Sequence, residues 1–408
     1  MESLNTLILK YGTPDALIDH WDDNAKKMAI WGFDEVFIYN TQGCYLNNKQ
    51  ISGNPLTLCN TIINNWQNES DLAHAIGYIS YDFKKILFPH LEFKIINDNQ
   101  TFMWFGKPSI IKEYSIVNEQ KQNTSNQYVM DIQKNIPSIE VYQKKIQEIK
   151  HYLKMGETYQ INYSNPILCN YEKSKFNLYM HLRSNAKPAN GFYLNDGENE
   201  ILSLSPEKFF EIKNGTIHTY PIKGTINRSH IKAEDEKLRL QLQNSTKDKA
   251  EHLMIVDLLR NDLGKICQYG TIDINNLYKI KSFETIHHME TDVYGELVND
   301  LEFKDIISAL FPSGSITGAP KERSMEIIDK IENYNRGIYT GSIGYISNNG
   351  YMNFNVAIRT ICFNENKGQY PIGGGIVWDS TPEGERMEAL NKAKIIDNVL
   401  NKINEQYA

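Results

Sequence analysis

Four absences narrow the reading of this 408-residue sequence. No stretch reaches the ~18 consecutive apolar residues that a membrane-spanning helix needs. The opening MESLNTLILKYG has no basic segment followed by a long apolar run and a small-residue cleavage site, so a cytoplasmic rather than secreted protein is expected. Its five cysteines (Cys44, Cys59, Cys169, Cys267, Cys362) are odd in number and scattered, with no CxxC spacing, which fits a reducing compartment. None of them lies in a Gly-x-Cys-x-Gly elbow, so a glutaminase nucleophile is missing. Net charge is −7 with interspersed signs, which argues against a nucleic-acid surface and for small-molecule chemistry.

What is present is enough apolar and aromatic residue to fill a core, in a length that allows two or three domains or one large one. The polar, Gln/Asn-rich stretch Asn118 to Lys134 reads as a connection. It divides an N-terminal portion, 1–135, from a portion 136–408 that carries the motifs. The pentapeptide Ile76-Gly77-Tyr78-Ile79-Ser80 recurs as Ile343-Gly344-Tyr345-Ile346-Ser347, an echo of internal duplication or a coincidence.

The chain is organised around Leu202 to Thr225. Lys208 to Ile212 and Thr216 to Tyr220 are β-rich runs, and Asn214-Gly215 between them predicts a tight hairpin turn. Counting outward pairs 213 with 216 and 207 with 222, which brings Glu207 and Lys223 together at the open end. Strict alternation nevertheless points Lys223 to the other face, unless the pairing bulges or ends near Pro206.

A helix is expected from the N-cap Ser138 to Gly156, with Val141, Ile146, Ile149 and Leu153 on its apolar face. The strand Thr158 to Tyr163 follows, with Tyr159 and Ile161 on one face, and Gln160 and Asn162 on the other. Thr246 to Asp262 is a second helix, capped by Ser245 or Thr246 and stopped by Gly264, with Leu253, Val256 and Leu258 or Leu259 toward the core. Asp248 and Glu251 share one side of its first turns. The terminal helix repeats the device: Thr381 caps it, Pro382 opens it, Glu385 and Glu388 are three apart, and Lys392 lies one turn on. Such pairs either stabilise helix starts or close four carboxylates around one hard cation. Oxygen donors without histidine suit Mg²⁺.

Three further stretches offer binding groups. Phe311 to Lys321 (FPSGSITGAPK) is a Gly/Ser/Thr-rich turn entering a helix, an arrangement that presents backbone N–H groups to an anion. Pro371 to Val377 sets three glycines beside an apolar strand, either for close ligand approach or as a flexible turn. In a strand over Tyr351 to Ile361, Arg359 projects beside Asn355 and Ala357, suited to a bidentate grip on a carboxylate. Of His287 and His288, sequence physics does not say which is structural.

The ordered motifs SPEKFF, PIKGT, AEHLMIVDLLRNDLG, FPSGSITGAPK, GIYTGSIGY, NVAIRT and GGGIVWDSTPEGE resemble the chorismate-utilising enzymes over roughly residues 137 to 400. The resemblance implies an α+β fold, a four-layer α/β/β/α sandwich with orthogonally packed antiparallel sheets, into which 1–135 is integrated. It also implies Glu251 and Glu388 as direct Mg²⁺ ligands, with Asp248 and Glu385 acting through water. Arg359, Tyr339, the backbone at Gly373, Gly374 and Gly375, Ser315 and Lys392 are implied as chorismate binders, and His288 lies near the enolpyruvyl group. Two departures stand out: Asp248 where glutamate is usual, and Trp378 where a small residue follows GGGIV, next to the pocket.

Two positions discriminate within the family. Where isochorismate-type members carry a water-activating lysine this chain has Gln160, which cannot serve as that base, so ammonia is the expected nucleophile. Where anthranilate synthases read PIAGT this chain reads PIKGT, similar to aminodeoxychorismate synthases. There Lys223 would attack ring carbon 2 while Glu207 protonates the departing 4-hydroxyl, and a glutamine amidotransferase subunit would supply the ammonia. The expected product is 4-amino-4-deoxychorismate and not p-aminobenzoate, since no lyase domain follows the terminal helix. An anthranilate synthase and a catalytically silent chorismate-binding or regulatory subunit are the alternatives.

Overall fold

The Asn214-Gly215 turn closes as its residue types require. Both residues are left-handed, at φ 52° and 77°, the conformations a type I′ hairpin demands. The strands Lys208–Lys213 and Thr216–Thr219 pair antiparallel with Lys213 opposite Thr216. The expected 207–222 pairing does not form. Pro221 interrupts the chain, and Ile222–Asn227 pairs instead with Ile286–Glu296, Lys223 opposite Met289. A register shift between Lys223 and Thr225, at left-handed Gly224 (φ 69°), re-aims the lysine.

The computed structural model describes residues 2–21, 26–67, 72–94, 100–115, 131–132, 137–282 and 286–393. The connection expected over Asn118 to Lys134 lies outside the described residues, apart from a two-residue strand at Asp131–Ile132. From the hairpin, one sheet runs through Met352–Asn355, Ser342–Ser347, Ala73–Ile79 and Thr101–Ser115 to Met28–Asn40. In the other direction it runs through Ile286–Glu296 to Asp273–Ser282. The start of Met28–Asn40 also pairs with Ala16–Asp19. That strand opens a second sheet through Asn190–Asn195, Asn199–Ser205, Thr360–Asn364, Lys367–Ile376 and Gln160–Asn170. Among the described residues the pairing is antiparallel except where Glu2–Ser3 joins Tyr114–Ser115.

Among the described residues the apolar core falls into four clusters, three of them stacked as layers and a fourth packing Ile146 and Ile149 of Ile139–Lys154 and Ile327 of Lys321–Ile331 on Ile161 and Ile376. The first packs Val256, Ile306 and Leu310, from the helices Thr246–Leu263 and Phe303–Leu310, on Phe105, Phe210 and Phe354 of the first sheet. The middle layer is drawn from both sheets, with Ile18, Phe192 and Leu194 against Ile76, Trp104 and Ile343. The third packs Tyr179 and Ala389, from the helices Lys175–Ala186 and Pro382–Ala393, on Leu202, Phe363 and Ile372 of the second sheet. Helix, sheet, sheet, helix is therefore the layer order, the α+β sandwich that the resemblance implies. No helix of the described residues is long and apolar enough to cross a membrane.

The two Ile-Gly-Tyr-Ile-Ser copies are neighbours that pair with each other, Gly77 opposite Gly344 and Tyr78 opposite Ile343. Each glycine sits under a ring from its outer neighbour: a Cβ on Gly77 would lie 2.5 Å from Phe105 Cδ1, and one on Gly344 2.4 Å from Phe354 Cγ. The echo is thus a local two-fold at the centre of the first sheet.

Some local expectations fail for tertiary reasons. Helix Ile139–Lys154 starts at Ser138 as expected, but Val141 is 49% exposed and Tyr142 takes its place in the core. In Thr246–Leu263, Leu253 is 41% exposed while Ile255, Val256 and Leu259 are buried. The strand expected over Tyr351 to Ile361 is broken into Met352–Asn355 and Thr360–Asn364 by a bend at Arg359, whose φ is 53°.

Candidate active site

A cavity of about 240 Å³ opens where the hairpin, the Ile222–Asn227 strand and the two acid-bearing helices meet. Glu207, Lys223, His288, Ser315, Tyr339, Arg359, Gly373, Gly375, Asp248, Glu251, Glu385, Glu388 and Lys392 all line it. Residues from segments separated by up to half the chain are therefore brought to one place.

Glu207 is 6% exposed. Its backbone is pinned by Ser205, whose Oγ accepts from the Glu207 N–H at 3.1 Å and donates to the Val356 carbonyl at 2.6 Å. Burial pushes its carboxyl up to about 7, against the opposing pull of the Ser315 hydroxyl and of Lys223. Lys223 moves the other way: burial lowers its pKa, while the Glu251 carboxylate resists. One cavity thus holds a carboxyl that keeps its proton up to about pH 7 and an amine biased toward its neutral form.

The glycine run is not a turn. It lies inside the strand Lys367–Ile376, with Gly373, Gly374 and Gly375 opposite Ser164, Tyr163 and Asn162. A Cβ on Gly375 would stand 3.1 Å from Lys223 Nζ and from the Gln160 amide nitrogen. One on Gly374 would stand 3.4 Å from Glu385 Oε2 and Lys392 Nζ. Glycine keeps open the space on which these groups converge.

Gln160 is 0% exposed, not the solvated side chain that its strand position suggests, because both faces of its strand are covered. Among the described residues neither its amide nitrogen nor its amide oxygen has a hydrogen-bond partner. Asn162 lines the cavity. The alternation that pairs its face with Gln160 carried the signal, yet sequence reasoning did not assign it to the site. Lys247, 3.8 Å from Glu251, is a second lining residue that it missed.

The structure separates the two histidines. His287 is tied to Ser282 Oγ (2.7 Å) and Asp235 Oδ1 (3.0 Å), on the far side from the cavity that His288 lines. Burial, with Lys281 and Arg359 nearby, lowers His288 to about 3, so its ring is neutral. Arg359 has no carboxylate partner among the described residues; its electrostatic neighbours are the neutral phenols of Tyr370 and Tyr339. A guanidinium without a counter-ion suits an anionic ligand. Trp378 does not line the cavity: it is 57% exposed, with Lys150 Nζ 6.0 Å from its ring.

The four carboxylates form a looser wall. Lys392 Nζ bridges Glu388 Oε1 at 2.8 Å and the Gly373 carbonyl at 3.1 Å, and Ser380 Oγ donates to Glu385 Oε1 at 2.5 Å. Burial and neighbouring carboxylates push Glu251 and Glu385 up, Glu251 against the pull of Lys223. Among the described residues no group of three or more such side chains is close enough to hold a metal ion as it stands. The donor chemistry nevertheless fits a hard divalent cation. All four donors are oxygen, and among the described residues the buried Glu251 Oε1 accepts no hydrogen bond, Lys247 Nζ lying 3.8 Å away.

Comparison with known proteins gives the arrangement its context. The family model described as chorismate binding enzyme matches residues 18–398. The chain is 40% identical over 257 residues to aminodeoxychorismate synthase component 1 of Salmonella typhimurium, covering 62% of this chain and 56% of that protein. It is 38% identical over 259 residues to anthranilate synthase component 1 of Saccharolobus solfataricus, covering 64% and 62%. The match thus spans little more than half of these relatives' lengths. Its fold is similar to that of anthranilate synthase component I from Streptococcus pneumoniae, at a TM-score of 0.80 and 24% identity, over 91% of this chain and 92% of the other.

Proposed function

The chain belongs to the chorismate-binding enzyme family, and from that premise we propose that it is the synthase component that converts chorismate and ammonia to 4-amino-4-deoxychorismate. The observation that carries the reading is the opposed bias of Lys223 and Glu207 within one cavity. A lysine must be neutral to act as a nucleophile and a carboxyl must be protonated to act as an acid, and burial favours both states.

In this reading Arg359, Tyr339 and the open backbone at Gly373 to Gly375 hold the substrate carboxylates, and neutral His288 lies beside the enolpyruvyl group. Lys223 Nζ bonds to ring carbon 2 and the double bonds shift. The 4-hydroxyl then leaves as water, with the proton that Glu207 gives up. Ammonia next bonds at carbon 4, the double bonds shift back and the carbon 2–Nζ bond breaks. The nitrogen's surplus proton returns Glu207 to its acid form. Gln160, whose amide lies beside Gly375, orients ammonia and offers no base for water.

Glu251 and Glu388 would hold Mg²⁺ directly, and Asp248 and Glu385 through water. The cation would supply charge neutralisation for the substrate carboxylate. Cytoplasmic location and a glutaminase partner complete the proposal. The relatives' name, component 1, and the lack of a Gly-x-Cys-x-Gly elbow in this sequence support that partner.

Product analysis after incubating the pure chain with chorismate, Mg²⁺ and an ammonium salt tests the proposal. The expected product is 4-amino-4-deoxychorismate. Anthranilate would replace the reading with the tryptophan-pathway alternative, and no turnover would favour a silent binding subunit.

A further inference from the structure

The turn that seemed built to offer backbone N–H groups reaches the site through hydroxyls. Ser315 Oγ donates to Glu207 Oε1 at 2.6 Å, and Ser313 Oγ lies 3.0 Å from Ser315 Oγ. Both serines are buried. A hydroxyl has one proton. With Glu207 Oε1 as the acceptor, Ser315 commits its proton to Glu207, which leaves Ser313 as the donor to Ser315 and gives the pair its direction.

The turn itself is held on every side. Thr317 Oγ1 donates to the Ser313 carbonyl at 3.0 Å, Arg336 Nη1 to the Ile316 carbonyl at 3.1 Å, and Lys321 Nζ to the Leu310 carbonyl at 2.9 Å. A Cβ on Gly314 would stand 2.4 Å from Leu258 Cδ2, so this turn is pressed against the helix that carries Glu251. With its backbone pinned by Ser205 and Oε1 occupied by Ser315, Glu207 has one oxygen left to carry a transferable proton.

We infer that Ser313 and Ser315 form a hydroxyl pair of fixed direction that positions Glu207 to donate its proton from Oε2. Ser315 is then a positioning residue for the acid rather than a substrate contact, an assignment that rests on the acid role proposed for Glu207. The charged groups facing that carboxyl are Lys223, Glu290 and Lys392, and none of them supplies a fixed donor to Oε1. A hydroxyl that donates to a carboxylate favours its ionised form, so removing the hydroxyl moves the titration of Glu207 upward.

Two readouts on the full chain test this. One is kcat and KM for chorismate against pH, with ammonium as nitrogen source. The other is an infrared difference titration of the Glu207 carboxyl, identified by its loss in Glu207→Gln. Ser315→Ala should lower kcat roughly tenfold, the scale of one hydrogen bond to a charged group, with little change in KM. Its alkaline limb and its carboxyl titration should both move to higher pH. Ser313→Ala should move both by less in the same direction, and Ser315→Thr should restore them. A raised KM with an unmoved carboxyl titration would make Ser315 a substrate contact and overturn the inference. If Ser315→Ala does not fold, an unmoved titration in Ser313→Ala overturns it equally. The infrared shift needs no turnover, so it can succeed even where product analysis rejects the proposed reaction.

Discussion

Two walls of the same cavity are built on opposite principles. The wall carrying Glu207, Ser315 and His288 is buried, and its acid is fixed by the protein's own hydrogen bonds from Ser205 and Ser315. The wall carrying Asp248, Glu251, Glu385 and Glu388 sits on helix starts, is partly open to solvent, and is neutralised in part by Lys247 and Lys392. The difference teaches where preorganisation is needed. Groups that form bonds or pass protons must meet the substrate already desolvated and aimed. Groups that bind an ion can be gathered by it.

The comparison breaks most sharply at Lys223. Lys223→Ala should cut 4-amination by on the order of 10³-fold or more, as expected when a covalent nucleophile is removed. Chorismate binding should survive it, since Arg359 and the carboxylate wall remain. Lys223→Arg should not rescue turnover, because a guanidinium stays protonated. Near-normal turnover by the arginine variant would reduce Lys223 to a binding charge.

Glu207→Gln comes next, with an expected loss of about 10²- to 10³-fold in kcat, the range for a positioned general acid. Its pH profile is as telling as its size. The carboxyl of Glu207 is pushed up to about 7 and must be protonated to act, so wild-type activity should fall as pH rises through that region. Activity should fall again on the acid side as Lys223, biased downward by burial, takes up its proton. A bell results. In Glu207→Gln the alkaline limb should vanish while the acid limb stays. An alkaline limb unchanged by the substitution would assign it to another group.

How much of this was legible in the sequence divides along the same line. The turn at Asn214-Gly215 and the caps at Ser138, Ser245 and Thr381 are local chemistry, and each formed where its residue types predicted. The helix spacings of Glu251, Glu388 and Lys392 were equally local. What failed depends on partners distant in sequence. Pro221 diverts the strand of Lys223 to Ile286–Glu296, a segment no counting from the turn could include. Gln160 is buried because elements distant in sequence cover both faces of its strand, and its amide comes to lie beside Gly375. Arg359 takes a left-handed bend that a pattern of alternating residues cannot show. The glycines read clearly as spacers, but not as spacers for Lys223 and Gln160, since those contacts exist only after the sheet assembles.

The smallest expected effect concerns the second wall and needs no turnover. Glu251 and Glu385 have carboxyls pushed up by burial. A carboxyl whose folded pKa exceeds its unfolded one adds stability that is present at low pH and lost as pH rises through the folded value. Above that value Glu251 and Glu385 are half-buried charges beside further carboxylates, and a divalent cation that binds only the folded chain offsets the penalty that Lys247 and Lys392 leave. Mg²⁺ should therefore raise the unfolding temperature by a few degrees, since saturation at ~100 times the Kd contributes about 2.7 kcal/mol. The rise should be larger at pH 8 than at pH 5, because protonated carboxyls are poor ligands. Potassium chloride at equal ionic strength should not reproduce it, and the double variant Glu251→Gln, Glu388→Gln should lose it. If Mg²⁺ and potassium chloride act alike on the wild-type chain, the acidic pairs are helix-start stabilisers. The contrast between a wall fixed by the protein's own hydrogen bonds and an ion-gathered one would then fall.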